Sequence, residues 1–264
     1  MALAVQSAFE GSCSLSGSVR FPAANAAGNG LIVVAYFSCT MTNPPALMVG
    51  DSQGNIYLPL MTCGVYSSSN DSRNLLAAWY VPACKGGENT VTVQETVQVG
   101  AGDYALAVGV LEYAGGFTGV DVATAGVTAT RTTISLTFKV SGAGELVLLA
   151  GGTGSMNALS NAVTLDPSTT GYTLEGMGQA ETPPAPYVWG AVGAWDQISS
   201  GGGLRTAESD FSTQPPGNCM LAAALILASA PSPPPSPPPS PPSPSPPSSS
   251  GLPPLSSGVW PTIF

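Results

Sequence analysis

The stretch TVTVQETVQV, residues 90–99, alternates polar residues with valines, Val91 and Val93 and then the later valines falling at two-residue spacing. A period of two is that of a strand with one covered face; a helical stripe would repeat every three or four residues. Working outward, LIVVAYF at 31–37 and GELVLLAGG at 144–152 are continuous apolar runs, expected of strands covered on both faces. Runs rich in Val, Ile, Leu, Thr and Tyr recur about every ten residues, which predicts strands over 31–38, 56–61, 75–81, 89–99, 104–113, 132–140, 145–150, 187–195 and 219–228. Between them stand Asn29-Gly30, Gly86-Gly87, Gly115-Gly116, Gly151-Gly152 and Gly201-Gly202-Gly203, where reversals through positive φ are least costly. The expectation is an all-β chain, an antiparallel two-sheet β-sandwich of jelly-roll type, over residues 1–230.

Composition narrows the function. Only 8% of the 264 residues are charged, while 44% are hydrophobic, so neutral polar groups and glycine must cover the surface. A net charge of -9 with six Lys plus Arg builds no basic face, which argues against nucleic acid and against an anionic membrane surface as partners. The chain has no histidine, so Ser-His-Asp and Cys-His catalysis are closed to it, and no cofactor is expected. Cys13, Cys39, Cys63, Cys84 and Cys219 show no Cys-x-x-Cys spacing; buried free thiols are the first reading, one or two disulfides the second. No run reaches 18 apolar residues, so no membrane span is expected, and residues 1–17 lack the marks of a secretory leader.

Residues 231–250 are twelve prolines and eight serines. With so few amides and nothing to bury, they form no strand or helix; an extended polyproline II arm of roughly 60 Å is expected. Residues 251–264 then return to apolar side chains, Leu252, Leu255, Val259, Trp260, Ile263 and Phe264. An apolar peptide on a stiff arm suits docking on a partner, with Trp260 and Phe264 as anchors.

Around Asp51 the chain reads VGDSQGNIYLPL, an Asp-Ser-x-Gly-Asn-x-Tyr string. It resembles a turn-and-strand signature of β-sandwich modules in secreted bacterial proteins and phage structural proteins, in which strands like residues 28–37 precede it and strands like 75–94 and 106–116 follow. That resemblance implies a sandwich used in adhesion, appendages or virion surfaces. The SPPPSPPPSPP string is similar in composition to hydroxyproline-rich glycoproteins, which would make the arm a glycosylation site.

Three sets of side chains are candidates for chemistry. Asp51, Asn55, Asn70 and Asp71 offer oxygen ligands for calcium, against their ordinary use in capping turns. Trp79, Tyr187, Trp189 and Trp195 could form a sugar-stacking platform, against the usual place of large aromatics in a core. Glu112 and Glu145 could pair for glycoside hydrolysis only if the fold brought them together. The function expected is a non-enzymatic structural subunit of a virion or extracellular filament, such as a capsid decoration, tail or fibre protein, binding copies of itself or other subunits. The alternative is an adhesive or carbohydrate-binding module on a Pro-rich stalk, with glycans as partners.

Overall fold

Sixteen strands appear in the computed structural model, which describes residues 4–40, 45–67, 72–97, 104–154, 163–180, 190–211 and 217–228. All sixteen fall within one compact unit, Met1–Ala230. The first eight are β1 (Gln6–Ser12), β2 (Ser16–Arg20), β3 (Gly30–Cys39), β4 (Leu47–Asp51), β5 (Leu58–Ser67), β6 (Ser72–Val81), β7 (Thr90–Glu95) and β8 (Tyr104–Tyr113). The second eight are β9 (Phe117–Thr128), β10 (Thr133–Val140), β11 (Leu146–Gly154), β12 (Val163–Leu165), β13 (Thr173–Ala180), β14 (Gly190–Ile198), β15 (Gly203–Phe211) and β16 (Gly217–Leu227). The described chain is all-β, and every strand pairing is antiparallel.

The strands form four sheets rather than the two that the sequence suggests. The orders are β1-β8-β3-β6-β5 with β2-β7-β4 in the first half, and β9-β16-β11-β14-β13 with β10-β15-β12 in the second. Adding eight to each strand number of the first half reproduces the second without exception. The chain is therefore two β-sandwich-like halves of identical topology in tandem, joined by residues 114–116. Traces of the duplication survive in the residues: β3 and β11 both follow Gly-x-Gly, at 28–30 and 142–144, and the sixth strand of each half carries Ala-Trp, Ala78-Trp79 and Ala194-Trp195.

The four sheets stack as layers of three, five, five and three strands, with a core between each adjacent pair. The first core holds Val19, Val33, Phe37, Trp79, Val91 and Val108 between β2-β7-β4 and its five-stranded partner. The third holds Phe138, Val147, Val163, Trp195, Phe211 and Met220 between the second five-stranded sheet and β10-β15-β12. The central core joins the halves through Ile32, Val34, Leu76, Leu111, Leu148 and Leu221, among others. Side chains of this kind contribute about 1.5–3 kcal/mol each when fully buried, so the central layer is a large favourable term in its own right.

This layering explains the continuous apolar runs. In β3, Leu31, Val33, Ala35 and Phe37 point to the outer core, while Ile32, Val34 and Tyr36 point to the central one. In β11, Val147 and Leu149 point outward, and Leu146, Leu148 and Ala150 inward. Strand β7 keeps the alternation that defines it, Val91 and Val93 buried and Gln94 exposed, but ends at Glu95. There the buried carboxylate accepts the amides of Ala46 and Val97, at 3.0 and 2.8 Å, and converts the strand end into a turn.

The halves face each other across a pseudo-twofold axis: β1 lies against β13, β3 against β11 and β5 against β9. Two aromatic side chains key the contact. Phe9 sits where a Cβ on Gly109, its partner in the adjacent strand β8, or on Gly176, in the facing strand β13, would fall 2.3 Å from its ring, so both positions must carry glycine. Tyr36 reaches into the second half: its ring occupies the space a Gly152 Cβ would take at 2.2 Å, and its hydroxyl lies 2.7 Å from the Gly217 carbonyl and 2.8 Å from Asn74 Oδ1.

Gly152→Ala is expected to cost about 1–3 kcal/mol or more in chemical denaturation, because the tyrosine ring has no free space to yield into. Gly119→Ala, where a Cβ meets nothing within 4 Å, should change stability by less than about 0.5 kcal/mol.

Candidate functional site

At one end of the first half, the loops after β2, β4, β6 and β8 converge on two carboxylates. Asp51 is the nucleus of the DSQGN turn. Its Oδ1 accepts the amides of Gln53 and Asn55 at 3.1 and 3.0 Å, and its Oδ2 accepts Asn55 Nδ2, the Tyr57 hydroxyl and Asn89 Nδ2 at 2.6, 2.8 and 2.9 Å. Partial burial pushes the Asp51 carboxyl up, but the hydrogen bonds from Asn55, Asn89 and Tyr57 together outweigh it and hold the carboxyl below its usual range. Lys85 closes the turn from outside, its Nζ donating to the carbonyls of Gln53 and Gly54 at 3.2 and 2.8 Å.

Glu112, fully buried in β8, is the second nucleus. It accepts from Gln6, from Asn25 Nδ2 at 2.8 Å, from the Ala26 amide at 2.8 Å and from Asn29 Nδ2 at 2.7 Å. Burial raises this carboxyl, and the donors from Gln6, Asn25, Ala26 and Asn29 bring it net below its ordinary value. The two anions therefore fix three loops at one end of the sandwich, and Asn29 Oδ1 accepts the Gly115 amide of the fourth at 3.2 Å. The turn built on Asp51 holds Ile56 out into solvent, 77% exposed, beside a shallow depression of about 310 Å³ lined by Asn55, Val81, Pro82 and Lys85.

The candidate residues of the sequence divide as follows. Asp51 and Asn55 do meet, but Asn55 Nδ2 is turned toward the carboxylate as a donor, and both Asp51 oxygens are filled by donors. This is turn capping rather than cation ligation, and Asn70 and Asp71 lie outside the described residues. No group of three or more His, Cys, Asp or Glu suited to a metal occurs among the described residues. Trp79 and Trp195 are buried, in the outer cores of the first and second halves, so neither offers a ring to a sugar. Tyr187 and Trp189 lie outside the described residues, as do Leu252, Leu255, Val259, Trp260, Ile263 and Phe264. Glu112 and Glu145 share no partner: Glu145 sits with Ser199 and Asp121 in the second half, whereas Glu112 binds only groups of the first. They form no hydrolytic pair.

One buried acid was not singled out by sequence. Asp196 in β14 faces the central core, where its Oδ2 accepts the Tyr113 hydroxyl of the first half at 2.8 Å and its Oδ1 has no hydrogen-bond donor. Glu175 stands beside it where β13 bulges. Burial, and after it the negative field of Glu175, outweighs the Tyr113 hydrogen bond and pushes the Asp196 carboxyl up to about 7. The only signal available in sequence was an aspartate inside an otherwise apolar strand, AVGAWDQI.

The outer faces of the two three-stranded sheets are lined mainly by Ser and Thr, with Arg20 on the first and Lys139, Glu208 and Asp210 on the second. Ser18 and Thr92 hydroxyls meet at 2.9 Å on one, and Thr137 and Thr206 hydroxyls at 3.3 Å on the other. Each also presents one large apolar side chain, Met48 at 63% and Leu204 at 74% exposure. No helix among the described residues is long and apolar enough to cross a membrane. No family model matches the chain, and no curated protein or solved structure matches it.

Two titrations check these assignments. Asp51→Ala leaves three side-chain donors and two amides without their acceptor and should cost about 1–3 kcal/mol at pH 7. Since the folded carboxyl is held low, that stability is present above pH 4 and lost as pH falls further, so wild type and variant should converge in acid. Asp196 has the opposite sign. Its folded form keeps a proton that the unfolded chain releases near pH 4, so thermal stability should decline from pH 4 to 7, and Asp196→Asn should flatten that decline.

Proposed function

We propose that the chain is a structural subunit of a virion or extracellular filament, each half a jelly-roll-type sandwich, assembling through its sheet faces and through the apolar peptide at 251–264 at the end of an extended Ser/Pro arm. The observation that carries this reading is the four-layer stack whose two ends are sheets with rows of Ser and Thr on their outer faces, each with one exposed large apolar residue, Met48 or Leu204. The two outer sheets point in opposite directions, so contact between the first sheet of one copy and the second sheet of the next is heterologous and propagates instead of closing. Such a contact brings together charges of opposite sign, Arg20 on one sheet with Glu208 and Asp210 on the other, and the hydroxyl rows can exchange hydrogen bonds that offset their desolvation.

The described polar groups also suit a scaffold. Asp51, Glu95 and Glu112, the acids of the first half with the most donors, hold turns and loop ends in place. The rigid turn they support presents Ile56 as a second apolar contact point. The strand order 1-8-3-6 opposite 2-7-4 is that of a jelly roll with its fifth strand added to the larger sheet. The glycan-binding alternative loses Trp79 and Trp195 to the cores.

Light scattering on the full-length chain, on a version ending at Ala230, and on the double variant Met48→Glu with Leu204→Glu tests this. Full-length protein should assemble, with both altered forms assembling less; a full-length chain that stays monomeric at every concentration overturns the proposal.

A further inference from the structure

None of the five cysteines is in a disulfide, and two of them meet across the boundary between the halves. Cys63 lies in β5 of the first half, partly buried against the central core, and Cys219 lies fully buried in β16 of the second, within that core. The two strands are in contact. Cys63 Sγ lies 3.8 Å from the carbonyl oxygen of Met220, the residue after Cys219, and Cys63 is the group that acts most strongly on the Cys219 thiol. The remaining cysteines are placed elsewhere: Cys39 and Cys84 line the outer core of the first half, where Cys84 Sγ approaches the Ala26 carbonyl at 3.2 Å, and Cys13 is exposed.

We propose that Cys63 and Cys219 are a dithiol–disulfide site that joins the two halves covalently when the protein meets a small-molecule disulfide oxidant. The position suits a staple. Nothing covalent links the halves except residues 114–116, and a bond from 63 to 219 closes a ring through both of them. Only one of the two thiols is reachable from solvent, which sets the order of events. The Cys63 thiol loses its proton and attacks the oxidant RSSR, forming a Cys63–S–SR mixed disulfide and releasing one RS⁻. Cys219 then loses its proton and attacks the Cys63 sulfur, forming the Cys63–Cys219 bond and releasing the second RS⁻. The sum is two protein thiols plus RSSR giving one protein disulfide plus two RSH, with no other electron acceptor. The bond requires the two sulfurs, carried on strands already in contact, to close to about 2.05 Å.

Reaction rate has a built-in control. The neighbouring Cys63 thiol, and after it complete burial, pushes the Cys219 thiol well above its ordinary range, so the second step is slow at neutral pH and quickens as pH rises. In a reducing compartment the pair remains two thiols packed as small hydrophobes. Outside it the staple forms gradually, after the halves have docked.

Native full-length protein incubated with glutathione couples of increasing oxidised fraction, acid-quenched, alkylated, digested and mapped by mass spectrometry reads the outcome. Wild type should lose two hydrogens and yield a linked pair of peptides containing Cys63 and Cys219, and its Tm should rise on the order of 10 °C. Cys219→Ala should instead accumulate a glutathione adduct on Cys63 with no Tm gain. Should that variant fail to fold, Cys63→Ser, altered on the half-exposed side, should show neither link nor Tm gain. A wild type that stops at the Cys63 adduct, or stays doubly alkylatable at the most oxidising couple, overturns the proposal.

Discussion

Everything in this fold depends on two five-stranded sheets that are apolar on both faces. A sheet of that kind cannot stop at one partner: the outer face requires a cover, and so does the inner one. Each half supplies the outer cover itself, as a three-stranded sheet with one polar side. The inner cover has to be the other half. The duplication and the stacking are thus two aspects of one constraint, the absence of a solvent-compatible face on β3, β6 and β8 or on β11, β14 and β16.

Packing at that shared face is set by what is small as much as by what is large. Gly109 and Gly176 make room for Phe9, Gly152 for Tyr36, and Gly217 for Asn74. The glycine-rich composition is therefore mostly a packing device here, with backbone freedom needed at a minority of positions such as Gly115 and Gly116, whose φ values are 82° and 72°. Two of the buried polar contacts lie at the central layer: the Tyr36 hydroxyl near Asn74 and Gly217, and the Tyr113 hydroxyl on Asp196. Each crosses from the first half to the second or sits at the crossing, so they favour one docking of the halves over a slid alternative.

Much of the strand content was legible because the buried strands announce themselves. The runs at 31–38, 75–81, 104–113, 132–140, 145–150 and 219–228 all have counterparts in β3, β6, β8, β10, β11 and β16. Those that escaped, β1, β2, β4, β9, β12, β13 and β15, are short, lie at sheet edges or are rich in Gly, Ser, Ala and Thr, and they owe their extension to a neighbour rather than to their own residues. The expected strand at 56–61 begins instead at Leu58, because Asn55 and Ile56 belong to the turn around Asp51. The duplication was hidden for a related reason: topology repeats while residue identities do not, apart from the Gly-x-Gly and Ala-Trp echoes. Of the candidate site, the Asp51–Asn55 contact was readable as a local turn motif. The donors that complete it, Tyr57 and Asn89, and the clustering around Glu112 arise from loops far apart in sequence.

The three-residue join between β8 and β9 has a consequence for biogenesis. The first half is complete once Tyr113 has emerged, and it then displays Ile32, Val34, Leu76 and Leu111 on a bare face until some hundred further residues have been made. During that interval any second copy at the same stage offers an equivalent face. Because the two halves have the same architecture, the first half of one chain and the second half of another would make the same interface as a single chain does. A short tether makes the intramolecular solution fast, and it makes exchanged pairs a hazard of crowded synthesis, where chains grow side by side on one message.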